Sequence, residues 1–102
     1  MLFSLSMFPI GVGDEIAHPV AEVVDEIEKA GLVHRVTAMD TQIEGRWEEV
    51  MPVIRRAQQR LLDEHPRVFF TLSVDEHTGV PPIRLQEAVD DIKQELAHEI
   101  SR

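Results

Sequence analysis

The sequence has no cysteine among its 102 residues, and this absence removes several kinds of chemistry at once. Without thiols the chain can form no disulfide, no thiolate metal site and no cysteine nucleophile. The same absence is typical of a protein in a reducing compartment, so we expect a cytoplasmic location. There is also no run of eighteen apolar residues, and the sequence therefore predicts no membrane-spanning helix.

Basic residues are scarce, because 10 Lys and Arg stand against 19 Asp and Glu and the formal net charge is −9. Nucleic acid is not an expected partner for such a chain, since phosphates are neutralised by clustered Lys and Arg. An acidic surface favours cationic ligands, although more commonly it only keeps a protein in solution. Charge alone therefore excludes one partner class without naming another.

The hydrophobic pattern predicts seven elements in the order β-α-β-β-α-β-α. The first ten residues, MLFSLSMFPI, lack a basic segment and a small-residue cleavage site, so we interpret them as a strand rather than a signal peptide. Periods of two and 3.6 residues separate the strands from the helices. The predicted strands are 2–8, 33–38, 41–44 and 68–74, and the predicted helices are about 14–30, 47–63 and 83–100.

This order is the split βαβ plan of ferredoxin-like α+β proteins. We predict one domain over residues 1–102, a βαββαβ sandwich with a four-stranded antiparallel sheet and an extra C-terminal helix. Right-handed crossovers place the first and third strands at the centre and both long helices on one face. Asp14 is the expected cap of the first helix, with His18 as the alternative, and Trp47 is expected in the core.

The second face of the sheet has no helix assigned to it. Alternation places Ser4, Ser6 and Phe8 on this open face, together with Phe69, Thr71 and Ser73. If Met39 and Asp40 form a two-residue turn, Arg35 lies opposite Glu44. Residues 36, 38, 41 and 43 (Val36, Ala38, Thr41 and Ile43) then point inward, and Arg35, Thr37, Gln42 and Glu44 point outward.

Such a face carries small hydroxyls, one amide, one ion pair and two Phe rings. This mixture suits a wet interface or a polar small-molecule pocket with a few aimed groups. The alternative is a plain exposed face, on which an Arg35–Glu44 pair would stabilise the sheet by only about 0–1 kcal/mol. From the pattern alone the two interpretations stand equal.

Four runs of the sequence resemble one known family. They are FPIGVGD, VAEVVDEIEKAGL, TAMDTQIEGRWEEV and RVFFTLSVDEHTG. Through them the chain resembles the MTH1187/YkoF-like thiamine-binding family, formerly grouped as UPF0045, from about Phe3 to about Leu96. The most specific pieces are the Pro-Ile-Gly-x-Gly turn and the Thr-x-Ile-Glu-Gly end of the hairpin.

The resemblance implies a ferredoxin-like fold and subunits that pair through their sheets into homodimers and homotetramers. It also implies binding of thiamine or hydroxymethylpyrimidine, with no cofactor required and no catalysis attached. Two departures from the family pattern concern the ligand, because Val12 replaces a usual Thr and Asp40 replaces a usual Gly. The motif residues that match are Pro9, Gly11, Gly13, Met39, Thr41, Ile43, Glu44 and Gly45.

Glu44 is the predicted contact to an aminopyrimidine, because a carboxylate accepts from the exocyclic amine and, once protonated, donates to a ring nitrogen. Hydroxyl groups on the open face would meet the other edges, and Phe8 or Phe69 would stack on a ring. The predicted ligand-binding residues are Ser4, Ser6, Phe8, Pro9, Gly11, Thr37, Met39, Thr41, Glu44 and Thr71.

Two functions of different classes stay open. The first is a small-molecule binding protein for thiamine or a related pyrimidine. The second is a structural or regulatory module whose open face binds only another copy of the chain. An enzyme is not expected, because no nucleophile stands in a motif with a base.

Two further motifs give weaker indications. Gly11 and Gly13 before a helix would admit a phosphate, but Asp14 and Glu15 repel anions and turn geometry explains both glycines. The histidines show no spacing for a shared metal, so no metal site is expected. A weak surface site at His77, beside Asp75 and Glu76, is the alternative.

Overall fold

The computed structural model describes residues 1–78 and 85–100 of the chain. Four strands and three helices follow one another in the predicted order. The start of the last helix, predicted near Ile83, lies outside the described residues. The elements are β1 (Leu2–Pro9), α1 (Ala17–Lys29), β2 (Val33–Val36), β3 (Thr41–Glu44), α2 (Trp47–Glu64), β4 (Val68–Asp75) and α3 (Leu85–Ile100).

The four strands form one sheet in the order β2-β3-β1-β4, and all neighbouring pairs are antiparallel. This is the ferredoxin-like arrangement with β1 and β3 at the centre, as predicted. The helices α1 and α2 pack against each other and against β1 on one face. No helix in the described parts of the chain is long and apolar enough to cross a membrane.

The core lies between this helix pair and the sheet, and strand alternation builds it. Phe3, Leu5 and Met7 of β1 are at most 4% exposed, and the side chains between them face the other way. In β4 the predicted inner residues pair with them, Leu72 with Leu5 and Phe70 with Met7. The helices contribute Val23, Ile27, Val50, Val53, Ile54, Ala57 and Leu61.

The hairpin register was predicted wrongly by two residues. Val36 pairs with Thr41 and Arg35 with Gln42, so Arg35 does not lie opposite Glu44. The connection is a loop over residues 37–40 whose shape Thr37 sets, because its hydroxyl accepts hydrogen bonds from the backbone N–H groups of Met39 and Asp40. A slip of two residues keeps the faces, and Thr41 and Ile43 are buried as expected. Val36 and Ala38 were expected to point inward too, but Val36 on the edge strand is 52% exposed and Ala38 lies exposed in the loop.

The start of α1 also differs from the prediction. The helix begins at Ala17, and the residue before it, Ile16, makes no side-chain cap, so neither Asp14 nor His18 caps it. Pro19 is therefore the third helical residue, where a missing N–H group costs nothing because first-turn donors have no partner in the helix. The helix ends before Gly31, as predicted.

Trp47 was expected in the core but stands at its margin. Its side chain is 48% exposed, and its ring lies 6.4 Å from that of Phe3. Gly45, just before α2, is required by close packing, because an added Cβ would come within 2.8 Å of Val50 Cγ2. The Glu-Gly end of the hairpin motif thus joins a strand to a tightly packed helix.

Candidate functional site

The open face of the sheet carries a row of polar side chains from three adjacent strands. Ser4 of β1 lies between Gln42 of β3 and Ser73 of β4, and the next outward residue, Ser6, pairs with Thr71. Each is at least partly exposed, in contrast to the residues between them. The predicted outward set is therefore present on these strands.

Glu44 contacts the extra helix. Its Oε1 atom accepts a hydrogen bond of 3.0 Å from the backbone N–H of Leu85, the first residue of α3. The first turn of α3 makes a second contact with the sheet, because the Arg35 guanidinium donates a hydrogen bond to Gln86 Oε1 at 3.0 Å. A carboxylate at a helix N-terminus satisfies an otherwise unpartnered donor and complements the helix dipole. Glu44 therefore has a structural task that the sequence did not reveal.

The docked end of α3 and the open face border a cavity of about 310 Å³ that is widely open to solvent. Its floor comes from the sheet and mixes polar groups, on Ser4, Gln42, Ser73 and Asp75, with the apolar residues Leu2, Phe3 and Val74. Its wall is apolar and comes from α3. This volume reaches the lower end of the range of small-molecule pockets, about 300–1,000 Å³. The α3 residues that line it are Leu85, Ala88, Val89 and Ile92.

A carboxylate on the hairpin loop adjoins this cavity. Asp40 Oδ2 accepts a hydrogen bond of 2.5 Å from Ser4 Oγ, and Asp40 Oδ1 accepts one of 2.5 Å from Thr37 Oγ1. These donors, Ser4 first, hold the pKa of Asp40 below its ordinary value of 3.8. Asp40 is thus a fixed negative charge beside the polar groups of the cavity floor. Sequence reasoning missed it, because Asp40 was interpreted only as a turn residue.

A second, smaller cleft lies where the hairpin loop leads into β3 and the edge of β1 beyond Leu5 has no partner strand on that side. Its volume is about 100 Å³, which is below that of a typical small-molecule pocket. It is bounded by β1, the start of α1 and the hairpin loop. Five of the predicted ligand residues line it: Ser6, Phe8, Thr37, Met39 and Thr41.

The other predicted residues are spread over the molecule. Ser4 lies in the larger cavity, and Thr71 is exposed on β4. Pro9 is buried on the helix-facing side, paired with Val68, and Gly11 lies in the turn that follows. Gly11 and Gly13 have positive φ angles of 92° and 63°, which explains glycine at both positions. The structure therefore does not bring the ten residues together at one point.

Two aromatic rings end the open face on the side away from α3. Phe8 and Phe69 pair across the strands with ring centroids 5.9 Å apart and an interplanar angle of 45°. The side chain of Phe69 is 50% exposed. Both rings lie on the open face, as predicted, but neither lines the larger cavity.

These features define a ferredoxin-like α+β protein whose open sheet face is half covered by an additional helix. The family model described as thiamine-binding protein matches residues 3–93. The match spans most of the sequence, and the chain belongs to this family. The predicted resemblance is thereby confirmed.

Curated relatives agree with the family assignment. The UPF0045 protein Mb1933 of Mycobacterium bovis is 35% identical over 88 residues, which are 85% of this chain and 86% of that protein. The UPF0045 protein MJ1052 of Methanocaldococcus jannaschii is 28% identical over 72 residues, which are 71% of this chain and 72% of that protein.

Solved structures agree on the fold. The structure of MJ1052 gives a TM-score of 0.83 at 23% identity and covers 90% of this chain and 94% of that chain. TM0486 of Thermotoga maritima, a candidate thiamine biosynthesis/salvage protein, gives a TM-score of 0.79 at 21% identity. That match covers 89% of this chain and 96% of that chain.

Proposed function

We propose that this protein binds thiamine or its pyrimidine moiety in the cavity between the open sheet face and α3. The observation that carries the proposal is the composition of this cavity, in which polar groups of the sheet stand beside apolar residues of the sheet and of α3. Small-molecule sites commonly combine these two kinds of group. The family assignment and the name given to the Thermotoga maritima neighbour support a thiamine-related ligand.

The chemistry of thiamine suits this cavity. An aminopyrimidine edge presents donors and acceptors, which the Gln42 amide and the hydroxyls of Ser4 and Ser73 can match. The apolar body of the ligand would lie against Val89 and its neighbours on α3. Asp75 would face the cationic thiazolium. Asp40, which is hydrogen-bonded to Ser4, would add a second negative charge that attracts the cation.

Glu44 remains a predicted ligand residue. One of its oxygens accepts the hydrogen bond from α3, but the side chain is partly exposed and its other oxygen can still contact a ligand. A ligand contact through Glu44 would couple ligand binding to the position of α3. Thr37 and Ser6 would act indirectly, at the loop and at the small cleft. Of the ten predicted ligand residues, Ser4 therefore has the most direct role in this proposal.

Calorimetric titration with thiamine tests the proposal. We expect Gln42→Ala and Asp75→Asn to weaken binding, because each removes a partner of a different part of the ligand. The thiazolium has no N–H group and would meet the exposed Asp75 only as an ion pair, which contributes about 0.2–1 kcal/mol, so Asp75→Asn should lower the affinity by up to about fivefold. Asp63→Asn on the exposed side of α2 is the matched control and should leave the affinity unchanged.

Two comparisons sharpen this titration. Hydroxymethylpyrimidine lacks the thiazolium, so its affinity should respond to Gln42→Ala and not to Asp75→Asn. Unchanged thiamine affinity in both variants would show that thiamine does not bind in this cavity. In a thermal-shift screen a ligand at a hundred times its Kd adds about 2.7 kcal/mol, and the absence of any shift would favour the second function below.

The second function is self-association of the chain, as a homodimer or homotetramer, with or without a ligand. One observation favours it: every residue from Asp90 to Ala97 of α3 is exposed, including Ile92 at 62% and Leu96 at 53%. Apolar side chains on a helix that extends beyond its sheet suit a neighbouring subunit. Light scattering on wild-type protein and on Leu96→Glu measures this directly.

Three expectations from the sequence accompany the proposal. We infer a binding protein rather than an enzyme, with no required cofactor, and a cytoplasmic location. Incubating the complex with thiamine for many hours and analysing the released ligand by chromatography tests the first, and we expect only unmodified thiamine. Appearance of a changed product would contradict it.

A further inference from the structure

A buried carboxylate lies on the opposite side of the molecule, between α1 and α2. Glu22 is only 6% exposed. Its Oε2 atom accepts a hydrogen bond of 3.0 Å from Arg60 Nε. Its other oxygen, Oε1, is fully buried and has no hydrogen-bond donor in the described parts of the chain. An unsatisfied buried carboxylate oxygen is costly, and a cation beside it, whether a protonated His18 or a bound metal ion, would offset that cost.

Two further ligand groups converge on this oxygen. His18, four residues before Glu22 on the same face of α1, places Nε2 at 3.1 Å from Glu22 Oε1, without the geometry of a hydrogen bond. Glu64, the last residue of α2, comes from the other helix. One ligand atom from each of the three side chains lies within 4.8 Å of the other two. Two ligands of one zinc ion lie at most about 4.2 Å apart, so all three can contact a single ion after a small rotation of the exposed His18 and Glu64 side chains.

The charge around the cluster also favours a cation. Arg60 forms ion pairs with Asp25 at 2.7 Å and Glu26 at 3.1 Å, and Lys29 pairs with Asp25 at 2.9 Å. Together with Glu22 and Glu64 this makes four carboxylates against two basic side chains. The seam between the helices thus retains two negative charges, with Arg60 bound to the Oε2 side of Glu22.

We propose that His18, Glu22 and Glu64 form a binding site for one divalent transition-metal ion of the Zn²⁺ type. One imidazole and two carboxylates are a ligand set that zinc accepts, with water in the fourth position. The imidazole selects against Mg²⁺ and Ca²⁺, which prefer oxygen ligands only. A bound ion would tie the first turn of α1 to the end of α2.

Calorimetric titration of the full chain with zinc chloride tests the site. Wild type should bind one ion per chain, and His18→Ala and Glu64→Gln should each lower the affinity at least about tenfold. Both side chains are on the surface, His18 with 82% of its side chain exposed, so neither change should disturb folding. Circular dichroism of the metal-free variants confirms that.

His77→Ala is the matched control, because it removes another exposed histidine beside two acidic residues, Asp75 and Glu76. It should leave zinc affinity unchanged. Loss of binding in His77→Ala alone, or equal affinity in all variants, would overturn the site, as would wild-type binding of magnesium chloride with the same affinity. Thiamine binding should be unaffected by His18→Ala, so this inference and the proposed function fail separately.

Discussion

The two sides of β1 differ in what they contact, the helical core on one side and the candidate site on the other. Toward the helices it presents Leu5 at 2% exposure, and toward the open side it presents Ser4 and Ser6. The first side is dry and determined by packing. The second side is hydroxyl-rich, and its hydrogen bond to Asp40 places a fixed charge beside a cavity. Positions of β1 that the core does not need are therefore the ones available to contact a ligand.

The largest contrast is expected between neighbouring residues of this strand. Leu5→Ala should lower the free energy of unfolding by about 2–5 kcal/mol, because it leaves a cavity in a closed core. Ser6→Ala should change it by no more than about 0.5 kcal/mol. Urea unfolding of both variants measures the two values. Similar losses would contradict the division of the strand into two functional sides.

The packing side is sharpened by Gly45→Ala. The new Cβ would meet Val50 Cγ2 at 2.8 Å, so we expect a loss of about 1–3 kcal/mol from overpacking. Val50→Ala in the same chain provides room for that Cβ. The double variant should therefore lose less than the sum of the single variants, and strict additivity would argue against this contact.

On the open side, Glu44→Ala should loosen the start of α3. Removing the acceptor of the Leu85 N–H group should cost about 0.5–2 kcal/mol, the range seen for helix capping residues. Hydrogen exchange at the Leu85 amide should accelerate in the same variant. Glu44→Gln keeps an acceptor oxygen and serves as the control; equal exchange rates in Glu44→Ala and wild type would refute the contact.

The smallest effect concerns acid stability. Hydrogen bonds from Ser4 and Thr37 lower the pKa of Asp40 in the folded state, so its contribution to stability is complete above about pH 3.8. That contribution is lost as the pH falls through the lower folded-state value. Below pH 4 the free energy of unfolding, measured with urea, should therefore fall more steeply with decreasing pH in wild type than in Asp40→Asn. Ser4→Ala, which lacks the first donor, should reduce the steepness too; an unchanged profile would contradict the assigned cause.

Much of the fold could be predicted from the sequence, because periodicity follows burial. Phe3, Leu5 and Met7 alternate with polar residues, and this pattern determines which side of β1 faces the helices. The hairpin failed for a local reason. The Thr37 side chain closes the loop with hydrogen bonds to backbone and to Asp40, and no apolar pattern records such bonds.

The candidate site could be predicted only in part. Ser4 and Gln42 follow from alternation, whereas the cavity wall comes from α3, which has no fixed place in the βαββαβ plan. The partners of Glu44 and Glu22 are distant in sequence, at Leu85 and Arg60. Such long-range contacts depend on how whole elements pack, so they cannot be predicted from the local pattern of the sequence.

Amide chemical-shift mapping with thiamine tests the central claim most directly. If the open face with its α3 wall is the receptor, cross-peaks of Ser4, Gln42 and Ser73 should move together with those of Leu85 to Val89. Peaks of α1 and the outer side of α2 should stay in place. Shifts confined to the helical side, or no shifts with thiamine in large molar excess over the protein, would contradict the account.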